Sequence, residues 1–241
     1  MKCAHWRVVL ILISVSTDAI GQSDSSFIFT AYHNAIRLYP PAMEYQSVLY
    51  NGSEYKEPKQ TEHDHPFYLS DDWQEASIVY DGVEFTHVDA IYELFGDELV
   101  VEHKNGTPIR LVKPKISRFV IGGRNFVNVA RKDSTASLPR SGFYQVVHNG
   151  PSMCLARWVK ERSEIIQQSE VEIWYRQKVS FYVYKNGRFH PVKSRASLVR
   201  LLADHKLQVR RYMTKEKIMF RENREIALAK ILSFYDTLTN E

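Results

Sequence analysis

The sequence predicts an α+β fold, in which C-terminal helices pack on an antiparallel β-meander, and two observations support this. First, two-residue turn signals separate short β-prone runs in the middle of the chain; they are Asp81-Gly82, Asn105-Gly106, Gly122-Gly123, Asn149-Gly150 and Asn186-Gly187. Such pairs favour hairpins because both residues can adopt a positive φ. Second, the period of apolar residues changes from that of strands to that of helices towards the end of the chain.

The hairpin signals place the meander between residues 77 and 192. A sheet of eight to eleven strands, about what these signals suggest, is expected to curve into a half-barrel or to split into two sheets. Cys154 lies between Met153 and Leu155, which predicts a buried strand position for its thiol.

The C-terminal segment 193–241 is predicted to be helical. Ser197 is expected to cap a short helix, and a second short helix is expected over residues 207–213. Asn223 is expected to cap a longer helix, whose apolar stripe would pack on the sheet. The stripe consists of Leu228, Ile231, Leu232, Tyr235 and Leu238.

The first 21 residues have the pattern of a cleavable signal peptide. Lys2 and Arg7 precede the apolar run 8–15, and the small residues Ala19 and Gly21 follow it. Because spanning a bilayer takes about 20 apolar residues, the run is too short for a membrane anchor, and no transmembrane segment is expected after cleavage. The protein is therefore expected to be periplasmic or extracellular, or peripheral to the outer membrane.

Between the signal peptide and the sheet, residues 22–76 are expected to hold a helix over 27–39 and a long irregular loop over 54–75. A loop of this length in a compact domain is usually functional or a packed cover. The mature chain 22–241 is expected to form one domain.

That loop contains the candidate metal ligands His63, Asp64 and His65. In an extended segment the two imidazoles would lie on one side, and a histidine–carboxylate set suits zinc. A site needs three or four converging ligands, and the spacing to other candidates is not diagnostic, so a solvated polar loop is the favoured alternative. A metal-assisted hydrolase with its site in 54–75 is the alternative function; the motifs predict neither catalytic residues nor a cofactor.

Charge is distributed unevenly, because residues 193–224 carry ten basic residues against three acidic ones. This predicts a surface for an anionic partner, such as lipid headgroups or polysaccharide. The candidate residues are Arg210, Arg211, Lys215 and Lys217, with Tyr212 and Phe220 as candidates for stacking or membrane contact. The favoured alternative is a solvated helix face. Nucleic acid is an unlikely partner for an exported protein.

The aromatic content, 14 Tyr and 12 Phe, allows two interpretations. The rings could line a cavity for a small hydrophobic ligand inside a curved sheet. Aromatic residues on antiparallel strands are more often plain core, and the composition favours that interpretation.

Several short motifs carry a resemblance to other proteins. They are Leu49-Tyr50-Asn51-Gly52 with Tyr55, Val79-Tyr80-Asp81-Gly82 followed by Ile91-Tyr92, Asp97-Glu98-Leu99-Val100, Lys217-Ile218 with Phe220, and Phe234-Tyr235-Asp236. In these the chain resembles uncharacterised exported proteins of Bacteroidota bacteria. The resemblance implies an envelope or secreted location and a meander followed by helices, and it implies no activity. We therefore expect a non-enzymatic binding or assembly module, whose partner is an envelope component or a small hydrophobic ligand.

Overall fold

The computed structural model describes residues 48–58, 64–130, 137–167 and 170–239. These residues belong to the compact unit Gln46–Glu241. The predicted signal peptide, the predicted helix over 27–39 and His63 lie outside the described residues, so these predictions stay predictions.

The described part of the chain contains eleven strands, all in one antiparallel sheet. They are β1 (Ser53–Glu54), β2 (Gln74–Tyr80), β3 (Val83–Glu93), β4 (Glu98–Glu102), β5 (Pro108–Arg110), β6 (Ile116–Ile121), β7 (Arg124–Val129), β8 (Gly142–His148), β9 (Cys154–Gln167), β10 (Glu170–Lys185) and β11 (Arg188–Val192). Their order across the sheet is β1-β5-β4-β3-β2-β6-β7-β8-β9-β10-β11. A short 3₁₀ turn, Lys113–Lys115, precedes β6.

Three of the five predicted turns are two-residue hairpin connections. Asp81-Gly82 joins β2 to β3, Gly122-Gly123 joins β6 to β7, and Asn186-Gly187 joins β10 to β11. All six residues have φ between 52° and 81°, as the twist of the flanking strands requires. Asn105-Gly106 and Asn149-Gly150 lie in longer connections.

Three α-helices follow the sheet: α1 (Arg195–Leu201), α2 (Lys206–Lys215) and α3 (Arg224–Thr239), with a 3₁₀ turn over Ala203–His205. The predicted cap of α1 at Ser197 is wrong by three residues. Ser194 is the N-cap, and Ser197 is its partner three positions later in a capping box. Asn223 caps α3 as predicted, since its side-chain oxygen accepts a hydrogen bond from the Ile226 backbone N–H at 3.0 Å. The α+β class, an antiparallel sheet followed by helices, is thus confirmed.

Helix α3 buries its apolar stripe in a cluster with residues of β9, β10 and the other two helices. Leu228, Ile231 and Leu232 have no exposed surface, and each stabilises the fold by about 1.5–3 kcal/mol. Cys154 is fully buried in the same cluster, which confirms the sequence prediction.

A second buried region consists of aromatic rings on the sheet. Phe119 stacks on Phe126 with ring centroids 4.9 Å apart, and Tyr92 and Phe143 meet Phe119 edge-on at 5.3 and 5.0 Å. All four rings are buried, so these aromatics are core residues packed on one another.

Candidate anion-binding groove

An open groove with a volume of about 1360 Å³ lies between helices α1 and α2 and the segment leading to α3. Basic side chains dominate its lining, and Glu222 is the one acidic residue among the described lining residues. The basic residues are Lys193, Arg195, Arg200, Lys206, Arg210, Arg221 and Arg224. We call this feature the basic groove.

Helical spacing directs the cations of α2 into the groove. Lys206, Arg210 and Thr214 are each four residues apart, so they share one face of the helix, and all three line the groove. Val209 and Met213 lie on another face, where they are buried against the core. Packing of that apolar face therefore fixes the direction in which the cations point.

None of the seven basic lining residues pairs with a carboxylate within the described part of the chain, and six of them also make no cation–π contact there. We call these six the groove cations: Lys193, Arg195, Arg200, Lys206, Arg210 and Arg221. Several cations on the sheet are paired, as in Lys115–Asp81 at 2.9 Å and Arg118–Glu84 at 3.2 Å. The groove therefore concentrates unneutralised positive charge, and a cleft of one sign raises the local concentration of oppositely charged ligands.

Arg224 has a different environment from the groove cations. Its guanidinium carbon lies 5.8 Å from the ring centroid of Phe181 and 5.9 Å from that of Phe220. These cation–π contacts hold the side chain against the apolar floor of the groove.

The four predicted anion-binding residues are all exposed, but they do not all line the groove. Arg210 lines it, and Lys217 lines an adjoining recess of about 170 Å³. Arg211 and Lys215 lie on α2 outside both linings. Sequence reasoning identified the basic stretch but missed five of the six groove cations, because their convergence depends on how α1, α2 and the following segment pack.

The two aromatic residues proposed for stacking have other partners. Phe220 is only 6% exposed, and Tyr212 stacks on Phe234 with centroids 4.1 Å apart and nearly parallel planes. The large apolar side chain that the groove exposes is instead Met219. The groove thus offers cations and an aliphatic contact.

The predicted metal ligands of the 54–75 loop have structural partners where the structure describes them. His65 Nδ1 accepts a hydrogen bond from the Phe67 backbone N–H at 3.1 Å, and the Asp64 carboxylate accepts one from the Tyr175 backbone N–H. Burial, together with the charge of Lys160, lowers the pKa of His65. The described residues contain no group of three or more potential metal ligands, and since His63 lies outside them, the metal site stays a prediction.

A histidine–aspartate pair, His148 and Asp236, lies at the contact between α3 and the β8–β9 connection. Their Nε2 and Oδ2 atoms are 2.7 Å apart, and Asp236 Oδ1 accepts a hydrogen bond from the Ser152 backbone N–H at 3.1 Å. A Cβ added at Gly150 would lie 2.2 Å from Asp236 Oδ2, so the chain packs directly onto the pair. This arrangement attaches α3 to the sheet.

Comparison of the chain with protein-family models, curated proteins and solved structures found no match. Among the described residues, no helix combines the length and apolar character that crossing a membrane requires.

Proposed function

We propose that this protein is an exported, non-enzymatic binding module that holds an anionic partner in the basic groove. One observation carries the proposal: six cations converge on one groove, and among the described residues none of them pairs with a carboxylate. The predicted signal peptide supports an envelope or extracellular partner.

The chemistry of the groove favours phosphate, sulfate or carboxylate groups. Four of the six groove cations are arginines, whose planar guanidinium groups bind such oxyanions through paired hydrogen bonds. Each cation contributes about 1 kcal/mol near an anionic surface. Six cations acting together would therefore supply several kcal/mol, and salt would weaken the attraction.

We also propose that the sheet, in which β2 to β5 and β6 to β11 each follow chain order, is curved and serves as a scaffold for the helices. Asp97, in the β3–β4 connection, receives hydrogen bonds from Arg157 of β9 and from the Phe143 backbone N–H of β8, at 3.1 and 3.3 Å. Three strands separate β3 from β8 in the sheet. Contacts across so many strands support curvature.

The test is a binding titration of fluorescently labelled inorganic polyphosphate at low and at physiological salt. The test variant is R200E/R210E, which reverses two groove cations. The matched control is R176E/R188E, which makes the same change in net charge at exposed positions on β10 and β11. Since each lost cation is worth about 1 kcal/mol, we expect the test variant to bind at least about tenfold more weakly and the control to bind like the wild type.

Both variants replace exposed side chains, so their unfolding midpoints should match that of the wild type. Equal weakening of the two variants would show that net charge, and not the groove, attracts the anion. Binding that is indifferent to salt, or no binding by the wild type, would also contradict the proposal.

A further inference from the structure

Exposed aliphatic side chains border the basic groove. Met219 is 62% exposed and Ile226 is 53% exposed. Together with the partly buried Ile218, they line the recess of about 170 Å³ that adjoins the groove. We call these three residues the apolar rim. Ile218 and Met219 line both the recess and the groove, so the apolar surface and the positive charge are contiguous.

We infer that the anionic partner is the headgroup layer of an anionic phospholipid bilayer, and that Met219 and Ile226 enter its interface. The inference rests on the proposed function of the groove. Surfaces that lie on membranes combine cations for the headgroups with aliphatic side chains that reach the acyl boundary.

The apolar rim distinguishes a bilayer from a soluble polyanion. A polyphosphate chain or a sulfated polysaccharide has only weak apolar character, so binding it would leave Met219 and Ile226 in water. Insertion into a bilayer would remove both side chains from water, and the hydrophobic effect would then strengthen binding. The structure therefore offers two contributions to binding, positive charge and apolar contact, and a lipid surface uses both.

Nucleic acid fits the site less well than a lipid surface. Single-stranded nucleic acids gain affinity when their bases stack on aromatic side chains. Phe220 is buried, and the ring of Tyr212 is stacked on that of Phe234. Phe220 lines the groove but exposes little of its ring, so the accessible apolar surface of the groove and the rim is aliphatic.

The charges around the recess indicate that attraction comes from the groove and apolar contact from the rim. Lys217 and Lys230 line the recess together with Glu216 and Glu222, so its formal charges balance. Removing the rim should therefore weaken membrane binding much more than it weakens the binding of a soluble polyanion in the groove.

The experiment is co-sedimentation of the full chain with two kinds of vesicle. One kind is phosphatidylcholine alone, and the other contains about one third phosphatidylglycerol to supply negative surface charge. The test variant is M219Q/I226Q, and the matched control is F95Q/W174Q, which replaces two large apolar residues exposed elsewhere to a similar extent. Polyphosphate binding is measured for all three proteins.

We expect the wild type and the control to bind the anionic vesicles and to ignore the neutral ones. The rim variant should bind anionic vesicles about tenfold more weakly, since it loses two partly inserted aliphatic side chains. Its affinity for polyphosphate should fall much less than its affinity for vesicles, because the groove cations are all retained.

Three results would overturn the inference while the proposed function stands. The first is wild-type binding to polyphosphate with no binding to anionic vesicles, and the second is equal vesicle binding by the rim variant and the wild type. Equal binding of neutral and anionic vesicles would likewise overturn it. Absence of binding to both polyphosphate and vesicles would remove the proposed function as well.

Discussion

Replacing Asp97 with Asn removes a negative charge from a buried cluster that joins distant parts of the sheet. Asp97 Oδ1 accepts a hydrogen bond from the Tyr92 hydroxyl at 2.6 Å. Oδ2 accepts hydrogen bonds from Lys113 and Arg157, both at 3.1 Å, and from the Phe143 backbone N–H at 3.3 Å. The substitution keeps the shape of the side chain, and asparagine tolerates the left-handed φ of 61° at this position. Any loss of stability therefore reports on the lost charge together with the lost acceptor oxygen.

The burial of Arg157 sets the magnitude of this loss. Its side chain is 6% exposed, so without Asp97 the guanidinium would stay buried without its carboxylate partner. Removing one partner of a buried pair costs about 3–5 kcal/mol. Lys113 is 35% exposed and can turn towards water, so its part of the loss should be small. Because domains are stable by about 5–15 kcal/mol, Asp97→Asn should remove between about a fifth and all of the total.

The assay is urea unfolding at pH 7, followed by tryptophan fluorescence and circular dichroism. The control is Glu84→Gln, which breaks the exposed pair with Arg118 and should cost less than about 1 kcal/mol. Adding Arg157→Met to Asp97→Asn should recover part of the stability, because the buried cation is then gone. A loss of less than about 1 kcal/mol for Asp97→Asn, equal to that of the control, would refute the reasoning.

Two further predictions concern ionisable groups whose pKa the fold shifts. Burial raises the pKa of Asp204, but hydrogen bonds from Lys185 and Tyr235 outweigh it, so the net shift is downwards. A lowered folded pKa gives stability that is present above the unfolded pKa of about 4 and is lost as the pH falls through the folded value. Asp204→Asn should therefore lower the free energy of unfolding, measured with urea, more at pH 6 than at pH 3. The difference should be at most about 1 kcal/mol because the carboxylate is 44% exposed, and an equal loss at both pH values would contradict this. Burial raises the pKa of Cys154 to about 12. Alkylation of this thiol at pH 8, measured by peptide mapping, should therefore be at least about a thousandfold slower in the native protein than in urea. Similar rates in the two conditions would show that the thiol is accessible.

Local signals in the sequence predicted much of the fold. Turn chemistry depends on two residues, which is why Asp81-Gly82 and Asn186-Gly187 were identifiable, and a cap such as Asn223 depends on one side chain and one backbone N–H. The cap of α1 was misplaced because Ser194 and Ser197 are both suitable residues, and only the backbone shows where the helix begins.

Non-local pairing was not predictable from the same signals. β6 pairs with β2, and β5 pairs with β1, so the strand that follows β5 in the chain is not its neighbour in the sheet. The sequence that connects the long strands β9 and β10 contains no pair of Gly or Asn residues. It therefore gave no signal for a hairpin turn. Such pairings depend on contacts between distant residues, and a local pattern cannot report them.

The functional site was likewise predictable from the sequence only in part. The excess of basic residues over 193–224 is a property of composition, so the sequence indicated an anionic partner. Which cations line the groove depends on the packing of α1 against α2. The structure therefore adds Arg200 to the site and places Arg211 outside the groove. Export and the resemblance to Bacteroidota proteins stay predictions.

The most direct test of the groove is to measure which arginines a bound anion protects. The protein is treated with phenylglyoxal with and without polyphosphate, and modification is measured for each arginine by mass spectrometry. At about ten times the dissociation constant, a ligand seated in the groove should slow the modification of Arg200 and Arg210 roughly tenfold and leave Arg176 and Arg188 unchanged. Equal protection at all four positions, or none at Arg200 and Arg210, would contradict an anion-binding groove.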